Sequence, residues 1–211
     1  EDWKSFQFGF LVPPSITAIT NAGNARIRGV ESEITFAATR QLTLSAGFTW
    51  LKATISQNFC AQVGVTNCPG DSVNAPFLPP TFTYTGPLAT AGTDLPQVPK
   101  FKGNVVARYE FPDVIGWQPY GQASFMYQNK VAPKLKGNEQ AVIGFQPAYG
   151  LLDLTGGAKN NGLEISAYIS NVANRRAQLT RFTNITSNND NQVYIVPTQP
   201  RTFGLRASKD F

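Results

Sequence analysis

The 211-residue chain contains no histidine, a single methionine and two cysteines. Without histidine, the side chain that most often serves as general base and metal ligand near neutral pH is missing. Charge is scarce as well: 15% of the residues are charged, against about a quarter in an average soluble domain. No stretch approaches the ~18 continuous apolar residues that a spanning helix requires, and nothing at the amino end has the form of a cleavable signal. Glycine-rich phosphate loops and nucleophile elbows are absent, and helix-period stripes and heptads are scarce. These absences argue against a helical bundle, a helical membrane protein and the common hydrolase constellations. The chain starts at Glu1 rather than Met, which reads as a mature product or a fragment.

What the sequence does have is alternation. Val30, Ser32, Ile34, Phe36 and Ala38 share one phase, opposed by Glu31, Glu33, Thr35, Ala37 and Thr39. After "ATRQL" the pattern resumes with Leu42, Leu44, Ala46, Phe48 and Trp50, and it returns in Phe101–Phe111, Trp117–Gln128, Leu152–Ala158, Leu163–Ile169 and Thr202–Phe211. With the opening run Glu1–Val12, this predicts eight strands and an all-β fold. Connections near Arg40, Asp113 and Asn160 are short, while those at 13–25, 57–99, 129–148 and 173–200 are long. An antiparallel up-and-down meander, with turns at one end and loops at the other, fits that spacing. Alternation by itself also suits a half-buried soluble sheet. The strand ends favour a membrane: Trp3, Trp50, Phe101, Tyr109, Phe111, Trp117, Tyr127 and Phe211 cluster there, as in the headgroup belts of membrane barrels. The opposite phase is rich in Gly, Ala, Thr, Ser and Gln, which suits a wet or polar-filled lumen. Every backbone amide in hydrocarbon must be paired, so such a sheet has to close into a barrel.

Four segments carry a more specific signal. "NAGNARIRGVESEITFAATRQLTLSAGFTWLKATI" (Asn21–Ile55) resembles the barrel hairpin of TonB-dependent outer-membrane receptors. "DLPQVPKFKGNVVARYEF" (Asp94–Phe111) is similar to that family's Pro-Lys strand start, "ISNVANRRAQL" (Ile169–Leu179) to its v-x-N-l-f segment, and "PRTFGLRASKDF" (Pro200–Phe211) to its closing strand. They occur in the family's order along nearly the whole chain. The resemblance implies a transmembrane β-barrel of about 22 strands around a plugged lumen. Residues 1–211 would then be its carboxyl-terminal eight strands, with the plug domain and amino-terminal strands lying elsewhere. The closing strand resembles the signal read by the barrel-assembly machinery, carried here by Thr202, Gly204, Ala207 and the terminal Phe211; Lys209 departs from it where an apolar residue is usual.

Candidate chemistry is sparse. Glu31 and Glu33 share a strand phase but read as a polar wall network rather than a catalytic pair, as do Asp153 with Glu164 and Lys102 with Arg108. Cys60 and Cys68, eight apart in the longest loop, read as a disulfide formed in an oxidising compartment; a metal site is the alternative, and it lacks any His or further Cys nearby. Phe77, Phe82 and Tyr84 lie in the same proline-rich loop, as a ligand-touching surface or as packing. The net charge of +5 gathers at the long-loop end, at Lys130, Lys134, Lys136, Arg175, Arg176, Arg181 and Arg201. Such a rim would steer an anionic ligand or hold lipopolysaccharide phosphates. Basic residues are not interleaved with a recognition helix or stacking platform, so nucleic acid is not expected as a partner.

The expectation is therefore an integral bacterial outer-membrane protein with no catalytic residue, metal or cofactor. Its role would be active uptake of a siderophore-like or other scarce nutrient. Its partners would be outer-membrane lipid, lipopolysaccharide, the assembly machinery, a small-molecule ligand, and TonB through the plug. The alternative is an autonomous eight-stranded barrel with a structural or adhesive role, its lumen filled by Glu31, Glu33, Lys102, Arg108, Glu164 and Arg206.

Overall fold

The computed structural model describes the chain except residues 6, 13–15, 22, 60–86, 88, 136–139, 142, 184–191 and 211. Among the described residues the principal element is an eight-stranded antiparallel sheet. It is built from β1 (Asp2–Trp3), β4 (Ala25–Ala37), β5 (Leu42–Ile55), β6 (Phe101–Glu110), β7 (Gln118–Gln128), β8 (Tyr149–Asn160), β9 (Leu163–Ser170) and β12 (Thr202–Lys209). Spatial order follows chain order and the up-and-down meander holds, with a further hairpin interposed between β1 and β4 and between β9 and β12. Two small hairpins stand apart from the sheet: β2 (Gln7–Val12) with β3 (Ile16–Asn21), and β10 (Gln178–Thr183) with β11 (Val193–Pro197).

Two expectations need correction. The opening run Glu1–Val12 is not one wall strand: only Glu1, Asp2 and Trp3 pair with β4, and Gln7–Val12 folds back on Ile16–Asn21. The 173–200 connection likewise contains a hairpin of its own. In both places the alternation is real, but a strand's partner is set by the turn that follows it, and alternation carries no information about partners.

The short turns follow their sequences. Between β8 and β9 the loop is the pair Asn161-Gly162, with φ of 44° and 76°, because Asn160 and Leu163 are already paired. Both central residues of that tight hairpin turn need positive φ, and Asn-Gly supplies them at least cost. At the β4–β5 turn the Thr39 hydroxyl accepts the Gln41 and Leu42 amides at 3.1 and 2.9 Å.

At the opposite end the long connections fold onto the sheet. The described part of the 57–99 connection runs back beside β5, where the Leu95 amide donates to the Ala53 carbonyl and that of Ile55 to Thr93. Ala25, Ala53, Ile55, Phe59, Ala89, Leu95 and Leu135 form a buried apolar cluster there, with Ile27 and Val98 packed against it. The sheet stays open: among the described residues β4 and β12 do not pair with each other.

Candidate functional site: a two-faced wall and its outer loops

The register divides the sheet into two chemically distinct faces. Directly opposed residues share a face, so the pairings Val30↔Trp50↔Phe101, Ala46↔Val105↔Phe125↔Leu152 and Ala123↔Leu154↔Ile169↔Phe203 trace one apolar surface across the strands. Its large side chains are not covered by protein: Leu205 is 84% exposed, Phe203 67%, Phe36 58% and Ile34 56%. A continuous apolar surface of that extent is not left to water. From Leu42 to Trp50 it rises about 27 Å along the strand. A tilt of about 40° reduces that to about 21 Å, close to the ~25 Å apolar band of outer-membrane barrels.

Aromatics mark both edges of this band. Phe48 stacks on Phe101, which meets Tyr127, with ring centroids 6.3 and 6.2 Å apart at the long-loop edge. Tyr109 meets Phe111 edge to face at 4.8 Å at the short-turn edge. Trp3 does not belong to the belt: it sits opposite Ala25, on the other face of the sheet. Phe211 lies outside the described residues. Lys209 falls on the apolar face, yet its ammonium donates to the Asn161 carbonyl at 2.8 Å, so the charge is satisfied at the turn beyond the band.

The second face is polar along its length. Glu31↔Thr49↔Lys102↔Gln128 and Arg108↔Gln122↔Thr155↔Tyr168↔Gly204 run across it. Near the short turns its groups bind one another. Tyr120 donates its hydroxyl proton to Glu164, and the same carboxylate meets Lys159 at 3.2 Å. Arg108 lies 3.8 Å over the Tyr120 ring and reaches Glu110 at 3.3 Å. Around Glu31, Glu33, Thr49, Lys102 and Asn104 this face forms a polar depression of about 570 Å³. Of the pairs read from the sequence, Glu164 and Arg108 belong to the network around Tyr120, Glu31 accepts from the Thr49 hydroxyl at 3.4 Å, and Asp153 instead accepts the Asn171 amide. Gly204 has a packing reason in the same surface: a Cβ there would collide with the ring of Tyr168 on β9.

At the long-loop end one residue holds the base of the 172–201 excursion. Asn171 is buried, and its side-chain amide donates to the Arg175 and Gln199 carbonyls, both at 2.8 Å, while its Oδ1 accepts the Arg175 amide at 2.9 Å. Its own amide donates to Asp153 Oδ1 at 2.7 Å. Both legs of the loop are therefore tied to the end of β9 through the Asn171 side chain, and its backbone amide adds the tie to β8. Asp2 and Arg26 pair at 2.7 Å beyond the aromatic edge, and this hydrogen bond holds the Asp2 carboxyl below its ordinary value.

The geometry is that of a barrel wall, and comparison with known proteins decides which kind. A family model described as "TonB dependent receptor-like, beta-barrel" matches residues 2–172. The chain belongs to this family. The fold agrees among solved structures. The ferric-catecholate import receptor Fiu from E. coli K12, in its closed form, aligns over 100% of this chain and 24% of its own, with a TM-score of 0.63 and 18% identity. The ferric yersiniabactin uptake receptor FyuA from Yersinia pestis aligns over 92% of this chain and 25% of its own, at 0.62 and 17%. For the copper transporter OprC the values are 100%, 26%, 0.60 and 16%. This chain thus spans about a quarter of the length of each. No curated protein matches it. As a TonB-dependent receptor barrel segment the protein is all-β, antiparallel and integral to the outer membrane.

Among the described loop residues singled out from the sequence, Lys130 and Arg181 meet at Phe145. Lys130 is exposed, with its ammonium 5.0 Å over the Phe145 ring. The Lys134 amide donates to Gln140 Oε1 at 3.4 Å. Arg176 is exposed, next to the Asn171 knot. Arg181 donates through Nη1 to the Phe145 carbonyl at 3.1 Å and to Gln178 Oε1 at 3.3 Å, joining the β10–β11 hairpin to the 129–148 loop. Cys60, Cys68, Phe77, Phe82 and Tyr84 lie outside the described residues. Sequence reasoning missed the Asn171 knot, although its segment was singled out, because a buried amide has no composition signal. It also missed two cations on the outer face, Arg28 and Lys52, which extending the even-numbered phase of β4 and β5 past Trp50 would have found.

Proposed function

We propose that the whole receptor takes up a scarce, chelated nutrient across the outer membrane, with siderophore-bound metal the foremost class. Residues 1–211 supply the carboxyl-terminal part of its barrel domain. The observation that carries this reading is a sheet with one lipid-suited face and one polar face whose two edges, among the described residues, do not pair with each other. Open edges are not tolerated in hydrocarbon, so further strands have to complete the wall. That favours a large plugged barrel over a closed eight-stranded one. The solved structures of the same fold support the substrate class: their names give ferric chelates and copper as cargo. Energy would come from TonB acting on a plug inside the lumen. This segment contributes wall and ligand-facing loops, through Lys130, Lys134, Arg176, Arg181 and the aromatic Phe77, Phe82 and Tyr84, and carries out no chemistry of its own. Cys60 and Cys68 would close a ring within the longest loop. The final strand, with Gly204 and Phe211, would be read by the assembly machinery.

The test is deletion of the receptor gene, followed by uptake of labelled metal chelates under iron and copper limitation. Loss of uptake of one chelate, restored by the gene and abolished equally by removing TonB, is the expected result. Unchanged growth and uptake across the panel overturns the reading.

A further inference from the structure

Two cations stand where the wall's own logic disfavours them. Arg28 on β4 and Lys52 on β5 are directly opposite each other, on the face that carries Val30, Trp50 and Phe101. Both are exposed, and among the described residues neither side chain forms a hydrogen bond or an ion pair. Like charges placed opposite on neighbouring strands repel and weaken the pair. The two nearest acids on this face are already engaged: Asp2 is held by Arg26 at 2.7 Å, and Asp94, which bridges to Thr54, by Lys100 at 2.8 Å, so neither closes an ion pair with Arg28 or Lys52.

Height decides what these charges meet. The Arg28↔Lys52 pair lies one same-face step beyond Val30↔Trp50, hence about 7 Å further along the strand and about 5 Å further from the membrane centre. Trp50 and Phe101 mark the hydrocarbon edge, so the two cations project sideways at headgroup level and not up into the loops. In outer-membrane barrels the long-loop end is the extracellular one. The face is therefore turned toward the outer leaflet.

We propose that Arg28 and Lys52 form a binding site for a phosphate of an outer-leaflet glycolipid, lipopolysaccharide. One phosphate between them would convert a repelling pair into two charge-assisted contacts, with the arginine fork able to bind in bidentate fashion. The acyl chains of the same lipid would lie down the apolar row below, over Val30, Ser32 and Ile34. The proposal depends on the outer-membrane placement and not on the uptake reading. A receptor with no transport phenotype could still carry this site.

The test uses the full receptor in detergent, titrated with bisphosphorylated lipid A and with dephosphorylated lipid A, bound lipid being counted by native mass spectrometry. Wild type should prefer the phosphorylated form, and R28Q/K52Q should lose roughly thirtyfold in affinity for it, while binding of the dephosphorylated form is unchanged. R28K/K52R keeps both charges and should keep most of the preference, which separates charge from a folding defect. Equal binding of the two lipids by wild type overturns the proposal. So does a preference that survives R28Q/K52Q, or one lost equally in R28K/K52R.

Discussion

Replacing Asn171 tests whether one side chain holds the outer excursion 172–201 onto the wall. In Asn171→Ala the backbone bond to Asp153 survives, but three side-chain bonds are lost, to the Arg175 and Gln199 carbonyls and from the Arg175 amide. At about 1 kcal/mol net for each, that is about 3 kcal/mol. Asn171 also has a φ of 53°, where alanine costs about 1 kcal/mol more. Local opening of the knot should become easier by about 4 kcal/mol, a few hundredfold or more in amide exchange. Asn171→Asp is the sharper variant. It matches asparagine in size and in tolerance of positive φ, yet it cannot donate, and it sets a carboxylate against two carbonyl oxygens. It should cost at least about 2 kcal/mol for the two lost donor bonds. The assay is hydrogen exchange on the full receptor in detergent, read at the amides of Arg175, Ala177 and Thr198, with the β6–β7 ladder as internal control. An Asn171→Asp protein as protected as wild type, or a loss spread evenly into β6 and β7, would refute the reasoning.

The faces give three further predictions. Val105→Arg places a charge on the membrane-facing side near mid-band and should destabilise the folded receptor by about 2–4 kcal/mol in vesicle refolding titrations, whereas Asn104→Arg, one residue away on the polar face, should cost far less. Gly204→Val should cost about 1–3 kcal/mol, since its side chain and the Tyr168 ring claim the same space; pairing it with Tyr168→Ala should recover part of that loss. Tyr120→Phe removes the hydroxyl that Glu164 accepts and should destabilise by about 1–2 kcal/mol, while Tyr109→Phe, at an exposed position, should leave the midpoint within error.

Most of the wall was legible because two-residue periodicity is a direct image of a strand with two different solvents. In β5, Leu42, Leu44, Ala46, Phe48 and Trp50 alternate with Thr43, Ser45, Gly47 and Thr49, and the pairing keeps the two sets apart over neighbouring strands. The turns were legible too, because Asn161-Gly162 can do little else at that spacing. Partner choice was not legible. Gln7–Val12 alternates as a wall strand does, but pairs with its own sequence neighbour. The loop-end geometry was hidden for another reason: Asn171 acts through three bonds to residues 4 and 28 positions away, and no local pattern encodes them. Lys209 looked like a flaw in the closing strand until the turn carbonyl of Asn161 gave its ammonium a partner.

The two rims differ in a way that follows from what each end faces. At the short-turn end a linked set of charges is internally satisfied: Lys209 by a turn carbonyl, Lys159 and Tyr120 by Glu164, Arg108 by Glu110 and the Tyr120 ring. At the long-loop end the wall holds two facing cations, Arg28 and Lys52, without partners among the described residues. Opposed like charges weaken the strand pair that holds them, and an anion bound between them would remove that cost. The amphipathic faces fix how this sheet lies in the membrane. The unequal ends give it a direction, short turns toward one leaflet and long loops with the facing Arg28 and Lys52 toward the other.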